Sequence, residues 1–527
     1  MIFITENIRA HELAKEQREI SISEFFTKNR HLLGFDNPIR ALLTTVKELV
    51  DNSLDACEEM KVLPEIMVEV IPVSEDRYRV IVEDNGPGIV KEQIPRIFAK
   101  LLYGSKFFKI KQARGQQGIG CSAAVLYGQL TTGKSSNITS KIDPKKPAHY
   151  YELHIDTVRN EPEVIKEEII DWKKDHGTRV EIELEAKYQK GGKSVEEYLK
   201  ETAMINSHLK LIYISPEKEK IVFQRVTSEL PKETKSIRPH PHGIELGMLL
   251  GMLKKTPART LQSFLTNDFC RIGSKTAKSI CDGAEINTNA RPKKIAREEA
   301  DKLLYSIKKT RLISPPTDCL SPIGAELLEK GLKKEVNADF FCAVTRPPTV
   351  YRGYPFQVEA AIVFGGDLDK EGPVNVMRFA NRVPLLYQQG ACAITKSIQQ
   401  TKWRNYGLQQ SGNNFPSGPA IIVVHIVSVW VPFTSESKEA IAHYPEIIKE
   451  IKLSLQECGR KLNSYIHKHI RALEQKERAN LFEKYIPELA SSLSNITKDK
   501  KEKIEKNLLK ILKKGIPELE KNGQIEE

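Results

Sequence analysis

Apolar and polar positions follow a helical period between residues 38 and 60. Glu48, Asn52 and Asp55 are spaced at i, i+4 and i+7, which brings their side chains to within about 60° of one another on a helix. Apolar residues occupy the opposite side, as in a helix that packs on a core. They are Leu42, Val46, Leu49, Val50, Leu54 and Cys57. The pattern predicts an amphipathic helix whose small polar face carries two carboxylates and a carboxamide.

Short apolar runs elsewhere predict strands. Residues 78–84 and 179–184 are rich in β-branched residues, and a glycine-containing turn lies next to each of them. Residues 356–364 and 421–431 predict two more buried strands. The run Ala420 to Phe433 is shorter than the ~20 residues that a membrane helix needs, so it also indicates a buried strand.

The helical period returns in the last part of the chain. Apolar residues at alternating steps of three and four predict a long helix that can act as a stalk. They are Ile451, Leu455, Cys458, Leu462, Tyr465, His469 and Leu473. Residues 495–527 place Ile504, Leu508, Ile511 and Leu512 on one face. This segment is too small to fold alone, which leaves docking on a protein partner or a disordered tail as the two interpretations.

This mixture of elements predicts an α+β multidomain protein. A chain of 527 residues suggests about three domains, and 40% hydrophobic residues are enough to build their cores. The Pro- and His-rich stretch between residues 229 and 243 predicts a linker. We therefore expect units at residues 1–232, 233–312 and 313–480, followed by a helical tail at 481–527.

Cysteine usage and the N-terminus indicate an intracellular protein. The eight cysteines are scattered without a Cys-x-x-Cys pair, which argues against a zinc site or a disulfide framework. Residues 1–24 alternate charged and apolar positions, unlike a secretory signal peptide. We expect a soluble cytoplasmic protein, associated with the nucleoid, that has no membrane partner.

Most of the excess positive charge is local. Residues 254–311 contain 14 Lys/Arg and 6 Asp/Glu, a local net charge of +8 within a chain of +12. Such concentration suits contact with the phosphates of double-stranded DNA, although a solvated basic face is the simpler alternative. The candidate DNA-binding residues are Lys254, Lys255, Arg271, Lys275, Lys278, Lys293 and Lys294.

The polar face of the first helix can carry chemistry. A carboxylate such as Glu48 can activate water, and the oxygen of Asn52 can hold a hard cation such as Mg²⁺. Most polar stripes are simply solvated, so the spacing alone leaves both interpretations open.

A second acidic position lies at the end of the strand predicted over residues 78–84. Asp84 is followed directly by Asn85-Gly86-Pro87-Gly88, which predicts a turn. An ionised Asp only accepts hydrogen bonds, so it can recognise the exocyclic amino group of adenine and would repel the carbonyl of guanine. An ordinary Asx turn is the alternative.

Glycine-rich segments complete the pattern. Gly115 to Gly120 precede a run that can start a helix, where backbone N–H groups and the helix dipole favour phosphate. Tyr103-Gly104-Ser105-Lys106 lies upstream, and His176-Gly177-Thr178 lies downstream. Each segment alone is weak evidence, but five such elements in this order are hard to explain by core packing.

Three other patterns do not predict sites. Residues 128–135 fit the Walker A spacing, but a helix precedes them and the sequence after them cannot readily continue as one. Asp367-Leu368-Asp369 resembles a pair of metal-binding acids, yet the glycines on both sides favour a hairpin turn. Nothing marks a tyrosine as a DNA-cleaving nucleophile, because none has a paired base at a recognisable spacing.

These motifs resemble those of a known superfamily. The segments ELVDNSLDA (48–56), DNGPG (84–88), GQQGIG (115–120) and HGT (176–178) are similar to the nucleotide-binding motifs of gyrase, the heat-shock chaperone, histidine kinases and mismatch-repair ATPases. Over nearly the whole chain, the sequence resembles the B subunits of archaeal DNA topoisomerase VI. The segments YGSKF (103–107), FANRVPLLY (379–387) and VPFTSESKEA (431–440) carry that closer similarity.

The resemblance implies roles for individual residues in binding ATP and Mg²⁺. Glu48 would be the general base and Asn52 the magnesium ligand, and Lys438 would reach the γ-phosphate from another domain as a second catalytic group. Asp84 would hold the adenine amino group. The remaining ATP-binding residues that it implies are Asp55, Gly88, Ser105, Lys106, Gly115, Gln116, Gln117, Gly118, Ile119, Gly120, Cys121 and Thr178.

The resemblance also implies an architecture and an activity. We expect an N-terminal Bergerat-type ATPase sandwich with an N-terminal strap, a helix-two-turn-helix insert, and a transducer domain with a long C-terminal helix. The implied activity is that of the ATPase subunit of a type IIB topoisomerase, in which a dimer closes on binding ATP and couples hydrolysis to double-strand passage, relaxation and decatenation. A separate A subunit would cleave DNA within an A2B2 heterotetramer.

Three other functions share parts of this pattern. A histidine kinase needs a phosphorylated His in a dimerising helix, and His11 and His31 lack that setting. A heat-shock-type chaperone leaves the local charge of +8 unexplained. A DNA-binding scaffold with an inactive nucleotide fold is disfavoured because Glu48 and Asn52 are present.

Overall fold

The computed structural model describes residues 12–17, 19–107, 109–115 and 118–515. Within this part of the chain, two mixed sheets are each covered by helices, and a helical segment lies between them in sequence. This architecture confirms the predicted α+β class. No helix among the described residues is both long and apolar enough to cross a membrane.

The first unit is built on an eight-stranded sheet of order β5-β4-β3-β6-β2-β1-β7-β8. Neighbouring strands are antiparallel except β1 and β7, which run parallel. The strands are β1 (Glu65–Ser74), β2 (Arg77–Glu83), β3 (Ser136–Lys141), β4 (Ala148–Asp156), β5 (Glu161–Ile170), β6 (Gly177–Glu185), β7 (Lys210–Ile214) and β8 (Lys220–Phe223).

Helices of the first unit pack against this sheet and enclose its hydrophobic core. They are α1 (Ile22–Lys28), α2 (Pro38–Met60), α3 (Ile94–Ala99), α4 (Gly120–Thr132) and α5 (Val195–Ile205). The core joins Val46 of α2, Val125 of α4 and Leu199 of α5 to the inward residues of the strands, such as Val68 and Val80. Alternating burial along β1 and β6 follows from the two-residue period of a strand.

The helical segment that follows has its own apolar core. Its helices are α6 (Leu246–Lys255), α7 (Leu261–Asp268), α8 (Ser274–Gly283) and α9 (Arg297–Lys309). Phe264, Leu265 and Ile280 are fully buried between them. We call this segment the basic insert, because it contains the region of net charge +8.

The second unit is a six-stranded sheet in which β9 pairs with β11 and the remaining order is β10-β11-β14-β12-β13. Its helices are α10 (Ala325–Glu335), α11 (Ala393–Gln400) and the start of α12 (Pro445–Thr497). Its strands are β9 (Phe340–Thr345), β10 (Thr349–Tyr351), β11 (Tyr354–Phe364), β12 (Asn375–Ala380), β13 (Val383–Pro384) and β14 (Ala420–Ser428). All nine residues of β14 are buried, as the apolar run 420–433 predicts.

One connection in this sheet differs from the prediction. The turn at Asp367–Asp369 follows β11 but does not form a hairpin, because β14 lies between β11 and β12. The Asp367 carboxylate accepts a hydrogen bond from Asn337 Nδ2 at 2.7 Å, which gives it a structural role. The Walker-like residues 128–135 lie at the end of α4, which precedes β3, so the order of elements is the reverse of a P-loop.

Helix α12 contains the predicted long helix, which we call the stalk. It has 53 residues, which corresponds to a length of about 80 Å. Its first part packs on the second sheet through Ile451, Leu455 and Leu462, which are fully buried. The division expected at residue 480 falls inside this helix, which continues through Pro487. The chain then reverses at Lys498, and α13 (Lys501–Gly515) packs back against α12.

Short 3₁₀ helices occupy several of the connections. They are Arg30–Leu33, Lys91–Gln93, Pro241–Gly243, Pro292–Lys294, Gln389–Ala391 and Trp403–Tyr406. The two sheet units contact each other directly, because Met204 and Ile205 of α5 share an apolar cluster with Leu328 of α10 and Phe379 of β12. This contact holds the second unit close to the polar face of α2.

Candidate functional site

Helix α2 positions the first group of polar side chains. The side chain of Asn37 accepts a hydrogen bond from the backbone N–H of Arg40 at 2.9 Å, and Pro38 takes the first helical position. The apolar residues predicted for the core face are all buried. The helix therefore has a fixed start and rotation, and these place Glu48 and Asn52 on the wall of a cavity.

Glu48 and Asn52 lie against the start of helix α4. Asn52 Nδ2 donates to the Glu48 carbonyl at 2.7 Å and contacts Cys121 Sγ at 3.0 Å. These contacts occupy Nδ2 and leave Oδ1 as the acceptor of a side chain that lines the cavity. Gly120 packs so closely on Glu48 that an added Cβ would lie 1.8 Å from Glu48 Oε2. The Glu48 carboxylate can therefore occupy this position only because residue 120 has no side chain.

Asp84 lies directly after β2, as predicted, and it is buried at the bottom of the cavity. Its Oδ1 accepts from the backbone N–H groups of Gly86 at 2.8 Å and Thr178 at 3.2 Å. Its Oδ2 accepts from Ser53 Oγ at 2.8 Å. Burial raises the pKa of Asp84, and these three donors act in the opposite direction. The carboxylate is thus fixed in orientation while one edge faces the cavity.

The backbone around Asp84 approaches other strands at very short range. Gly88 has a φ of +67°, and an added Cβ would lie 2.1 Å from the Lys141 carbonyl oxygen. Gly177 has a φ of +141°, and its Cβ would lie 2.2 Å from the Asp84 carbonyl oxygen. Only glycine fits both restraints. These glycines bring the turn after β2 against Thr178 at the start of β6.

The connection between α3 and α4, which we call the lid, covers one side of the cavity. Its described residues are 100–107, 109–115 and 118–119. Gly118 has a φ of +60° and packs against Tyr103 and Phe107 of the same connection. Tyr103 donates from its hydroxyl to Gln93 Oε1 at 2.6 Å. The lid is therefore folded onto itself and onto the segment before α3.

A buried ionic cluster anchors the lid to helix α2. Lys106 Nζ lies 2.7 Å from Asp55 Oδ2, and Arg114 Nη1 lies 2.8 Å from Asp55 Oδ1. Arg114 also binds Glu58 through two hydrogen bonds of 2.8 and 2.7 Å, and His208 Nε2 contacts the same carboxylate at 2.8 Å. Burial alone would raise the pKa values of Asp55 and Glu58, but the neighbouring cations lower both of them.

The second unit completes the cavity. Lys438 lies on the loop after β14 with a φ of +54°, and its Nζ donates to the Arg114 carbonyl at 3.2 Å. The neighbouring Glu439 forms a salt bridge with Arg40 of α2, and Lys47 Nζ reaches the Ser437 carbonyl at 3.5 Å. The loop is thus held against α2 on either side of Lys438.

These elements enclose a cavity of about 540 Å³, within the range of small-molecule sites. Most of the residues predicted for a nucleotide site line it: Glu48, Asn52, Asp84, Gly88, Ser105, Lys106, Gly115, Gly118, Ile119, Gly120, Cys121, Thr178 and Lys438. Asp55 does not, because it faces the lid cations. Gln116 and Gln117 lie outside the described residues.

The sequence prediction missed several residues at this site. Pro384, Leu385, Leu386 and Tyr387 of the second unit line the cavity, and the Tyr387 ring lies 5.2 Å from the Arg40 guanidinium. They belong to the FANRVPLLY segment, which carries the family resemblance but no recognisable binding chemistry. Arg114, the anchor of the lid, was also missed. A lone arginine next to a glycine-rich run gives no signal until its distant carboxylates are known.

The seven candidate DNA-binding residues lie in the basic insert, apart from this cavity. All of them are exposed to solvent. Lys254 and Lys255 end helix α6, whereas Lys275 and Lys278 lie on α8 and Arg271 precedes it. Arg271 takes a left-handed conformation and donates from Nε to the Ser314 carbonyl at 2.9 Å.

Two family models match the chain, one for each of the two units that line the cavity. Residues 37–188 match the "Histidine kinase-, DNA gyrase B-, and HSP90-like ATPase" family. Residues 315–478 match the family "Topoisomerase VI B subunit, transducer". The first match includes Glu48, Asn52 and Asp84, and the second includes Lys438.

Similar proteins cover nearly the whole chain. The B subunit of type 2 DNA topoisomerase 6 from Methanococcoides burtonii is 53% identical over 487 residues, which cover 92% of this chain and 78% of that protein. Its counterpart from Methanosarcina barkeri is 51% identical over 92% of this chain and 79% of its own length. That of Archaeoglobus fulgidus is 46% identical over 95% and 83%, respectively. The chain belongs to the family of topoisomerase VI B subunits.

Proposed function

We propose that Glu48 and Lys438 act at the γ-phosphate of one ATP molecule, each from a different unit of this chain, which is the ATP-hydrolysing B subunit of a type IIB topoisomerase. The observation that carries the proposal is that a single cavity is lined by Glu48 from the first unit and by Lys438 from the second. Glu48 is the general base that takes a proton from the attacking water. Its carboxylate is held at the cavity wall by the close packing of Gly120.

Asp84 reads the base of the nucleotide. The three hydrogen bonds that it accepts from Ser53, Gly86 and Thr178 fix the carboxylate without using every lone pair. The remaining capacity faces the cavity and suits the amino group of adenine. Guanine presents a carbonyl at that position, which leaves the buried carboxylate facing an acceptor. Gly88 and Thr178 line the same end of the cavity.

The lid and the start of α4 bind the phosphates. Ser105, Lys106, Gly115 and the residues from Gly118 to Cys121 line this side, where a helix N-terminus and backbone N–H groups favour negative charge. Asn52 fits a magnesium ligand, because it lines the cavity and its occupied Nδ2 leaves Oδ1 as the acceptor. Bound there, Mg²⁺ would neutralise phosphate charge during hydrolysis. Asp55 contributes indirectly by holding Lys106 and Arg114.

Lys438 makes the arrangement of the two units depend on the γ-phosphate. Its amine donates to the Arg114 carbonyl, and an ionised phosphate oxygen is a stronger acceptor than this neutral group. A hydrogen bond to a charged partner contributes about 1.5 to 3 kcal/mol. Because ATP offers this contact and ADP does not, the nucleotide shifts the orientation of the second unit by its differential affinity. Binding closes a dimer of B subunits, and hydrolysis reopens it.

The basic insert contacts double-stranded DNA. The exposure of its seven predicted Lys and Arg side chains supports this role, because each can reach a phosphate. We propose that this segment is the helix-two-turn-helix domain, at residues 233–312. Residues 1–232 then form the Bergerat-type ATPase domain, and 313–480 form the transducer domain with the proximal stalk.

The far end of the stalk binds the A subunit, the DNA-cleaving partner of the family, in an A2B2 assembly. Leu481, Phe482 and Tyr485 of α12 are each more than half exposed. Ile511 of α13 is also 67% exposed. An apolar surface of this kind at the end of a long helix fits a protein partner better than solvent. The complex couples ATP hydrolysis to double-strand passage and hence to relaxation and decatenation.

ATP turnover by the assembled A and B subunits, with and without duplex DNA, tests this function. Replacing Glu48 by Gln should lower kcat by about 100-fold or more while ATP still binds, because the base is lost and the shape is kept. The relaxation of supercoiled DNA should fall in parallel. Unchanged turnover in Glu48→Gln would remove the assignment of the base. If the complex hydrolysed ATP but did not relax supercoiled DNA, the ATPase assignment would stand and its coupling to strand passage would fail.

A further inference from the structure

We propose that Asn381 is a positioning residue that fastens the lid to the second unit, so that lid closure over ATP and reorientation of the transducer occur as one event. The proposal rests on the function described above. Asn381 does not line the nucleotide cavity. Its contacts instead connect the lid with strands β12 and β14.

Asn381 lies in the turn between β12 and β13. Asn381 and Arg382 both have positive φ values, +47° and +66°. Asn tolerates this backbone conformation better than most residues. The Asn381 side chain is buried, and its Oδ1 accepts from the Ser428 N–H at 2.9 Å. Its Nδ2 donates to the Ser428 carbonyl at 2.9 Å and to the Ala113 carbonyl of the lid at 3.1 Å. The amide thus joins the end of β14 to the lid.

Two consecutive carbonyl groups of the lid are therefore held by the second unit. Ala113 accepts from Asn381, and Arg114 accepts from Lys438. The two donors differ in chemistry. The lysine is a cation on the cavity wall that can leave for the γ-phosphate, whereas the amide is neutral and remote from the nucleotide. When Lys438 changes partner, Asn381 keeps the lid attached.

A parallel bridge runs through the side chain of Arg114. Its Nη2 donates to Asn206 Oδ1 at 2.7 Å, and Asn206 Nδ2 donates to the Arg382 carbonyl at 3.2 Å. Asn206 is fully buried at the end of α5. Both residues of the 381–382 turn are thus bound from the first unit, one by the lid backbone and one through the lid arginine.

The turn is also fixed within the second sheet. The backbone N–H of Arg382 donates to His425 Nε2 at 2.9 Å, and His425 Nδ1 donates to Glu359 at 2.8 Å. Arg382 Nη2 donates to the carbonyls of Ser321 and Pro322 at 3.2 and 3.1 Å. A displacement of the turn must therefore move β11, β12 and β14 with it. The turn therefore links the lid firmly to the second sheet.

Asn381→Gly tests the coupling in the full-length chain assembled with the A subunit. Glycine accepts the left-handed backbone, so the change removes the side chain without straining the turn. We expect kcat for ATP hydrolysis to fall roughly three- to tenfold, the effect of losing the one hydrogen bond that this side chain makes to the lid. The Kd for a non-hydrolysable ATP analogue should stay within about twofold, because Asn381 does not line the cavity. A lower kcat together with an unchanged Kd is the result expected for a positioning residue.

Two further variants identify the contact that matters. Asn381→Asp keeps the acceptor for the Ser428 N–H but cannot donate to Ala113, so it should not rescue kcat. Asn206→Asp keeps the partner of Arg114 and loses the donor to Arg382, and it should show the same combination of a lower kcat and an unchanged Kd. Ser428→Ala is the control, since the Ser428 hydroxyl binds Pro355 and Trp430 at the same strand end without touching the lid.

The outcomes separate the coupling from the catalytic assignment. Normal kcat in folded Asn381→Gly and Asn381→Asp overturns the coupling. So does a loss of kcat that Ser428→Ala reproduces, because the effect would then come from a loosened sheet. If Glu48→Gln leaves turnover unchanged in the same assay, the proposed function fails regardless of what Asn381 does.

Discussion

Gly120→Ala adds one methyl group at the point where helix α4 meets the proposed base. The new Cβ would lie 1.8 Å from Glu48 Oε2 and 2.7 Å from Glu48 Cδ. Non-bonded heavy atoms prefer separations of about 3.5 Å, so the carboxylate must move by roughly 1.5 Å or more. Glu48 has a flexible side chain that faces the cavity, and it can turn away without disturbing the core.

The expected result is a folded protein that binds ATP but hydrolyses it slowly. A misplacement of about 1 Å can cost about 100-fold in rate, which corresponds to roughly 2.7 kcal/mol of activation free energy. Folding stability should change little, because Ala favours a helix over Gly by up to about 1 kcal/mol and this gain opposes the cost of displacing the Glu48 side chain. The assays are kcat for ATP hydrolysis, equilibrium binding of a non-hydrolysable analogue, and thermal unfolding.

Two other glycines provide matched controls. Gly251 of α6 has open space around its Cβ position, so Gly251→Ala should leave kcat unchanged and raise stability by up to about 1 kcal/mol. Gly128, in the same helix as Gly120, would place its Cβ 2.8 Å from the Glu183 carbonyl oxygen and 2.7 Å from Ile182. Gly128→Ala should therefore lower the melting temperature. A folded Gly120→Ala variant with kcat within about threefold of wild type would refute the assignment of Glu48 as a base held by Gly120.

Gly88→Ala should destabilise the first unit, measured by thermal unfolding, because its Cβ would lie 2.1 Å from the Lys141 carbonyl oxygen at a positive φ. Asp84→Asn should weaken ATP binding and narrow the preference for ATP over GTP in competition binding, since an amide can donate to the guanine carbonyl. Burial raises the pKa of Asp51 to about 7 in the native state, whereas its ordinary value is about 4. Protonation of Asp51 therefore stabilises the fold. This stabilisation is fully present below about pH 4 and is lost as the pH rises to about 7. Relative to Asp51→Asn, wild type should lose about 1.4 kcal/mol of unfolding free energy per pH unit across that window, and denaturant titrations that show parallel curves for the two proteins would contradict this.

Short-range features of the sequence were sufficient to predict much of the lining of the cavity. The period of α2 placed Glu48 and Asn52 on one polar face, and the strand before Asp84 ended where the glycine turn predicted. Helix α4 followed the glycine-rich run, and the apolar stretch at 420–433 contained a buried strand. These elements depend on hydrogen bonds and side-chain spacing within a few residues, which the sequence displays directly.

Contacts between distant segments decided the rest. Asp55 shares the polar face of α2, yet it holds Arg114, which lies 59 positions away in the chain, instead of facing the cavity. The strand β14 separates β11 from β12, so the turn at Asp367 is not a hairpin. Asn381 meets the lid across 268 positions. No local pattern encodes such pairings, because they arise only when the packing of two separate cores fixes which buried polar groups can satisfy each other.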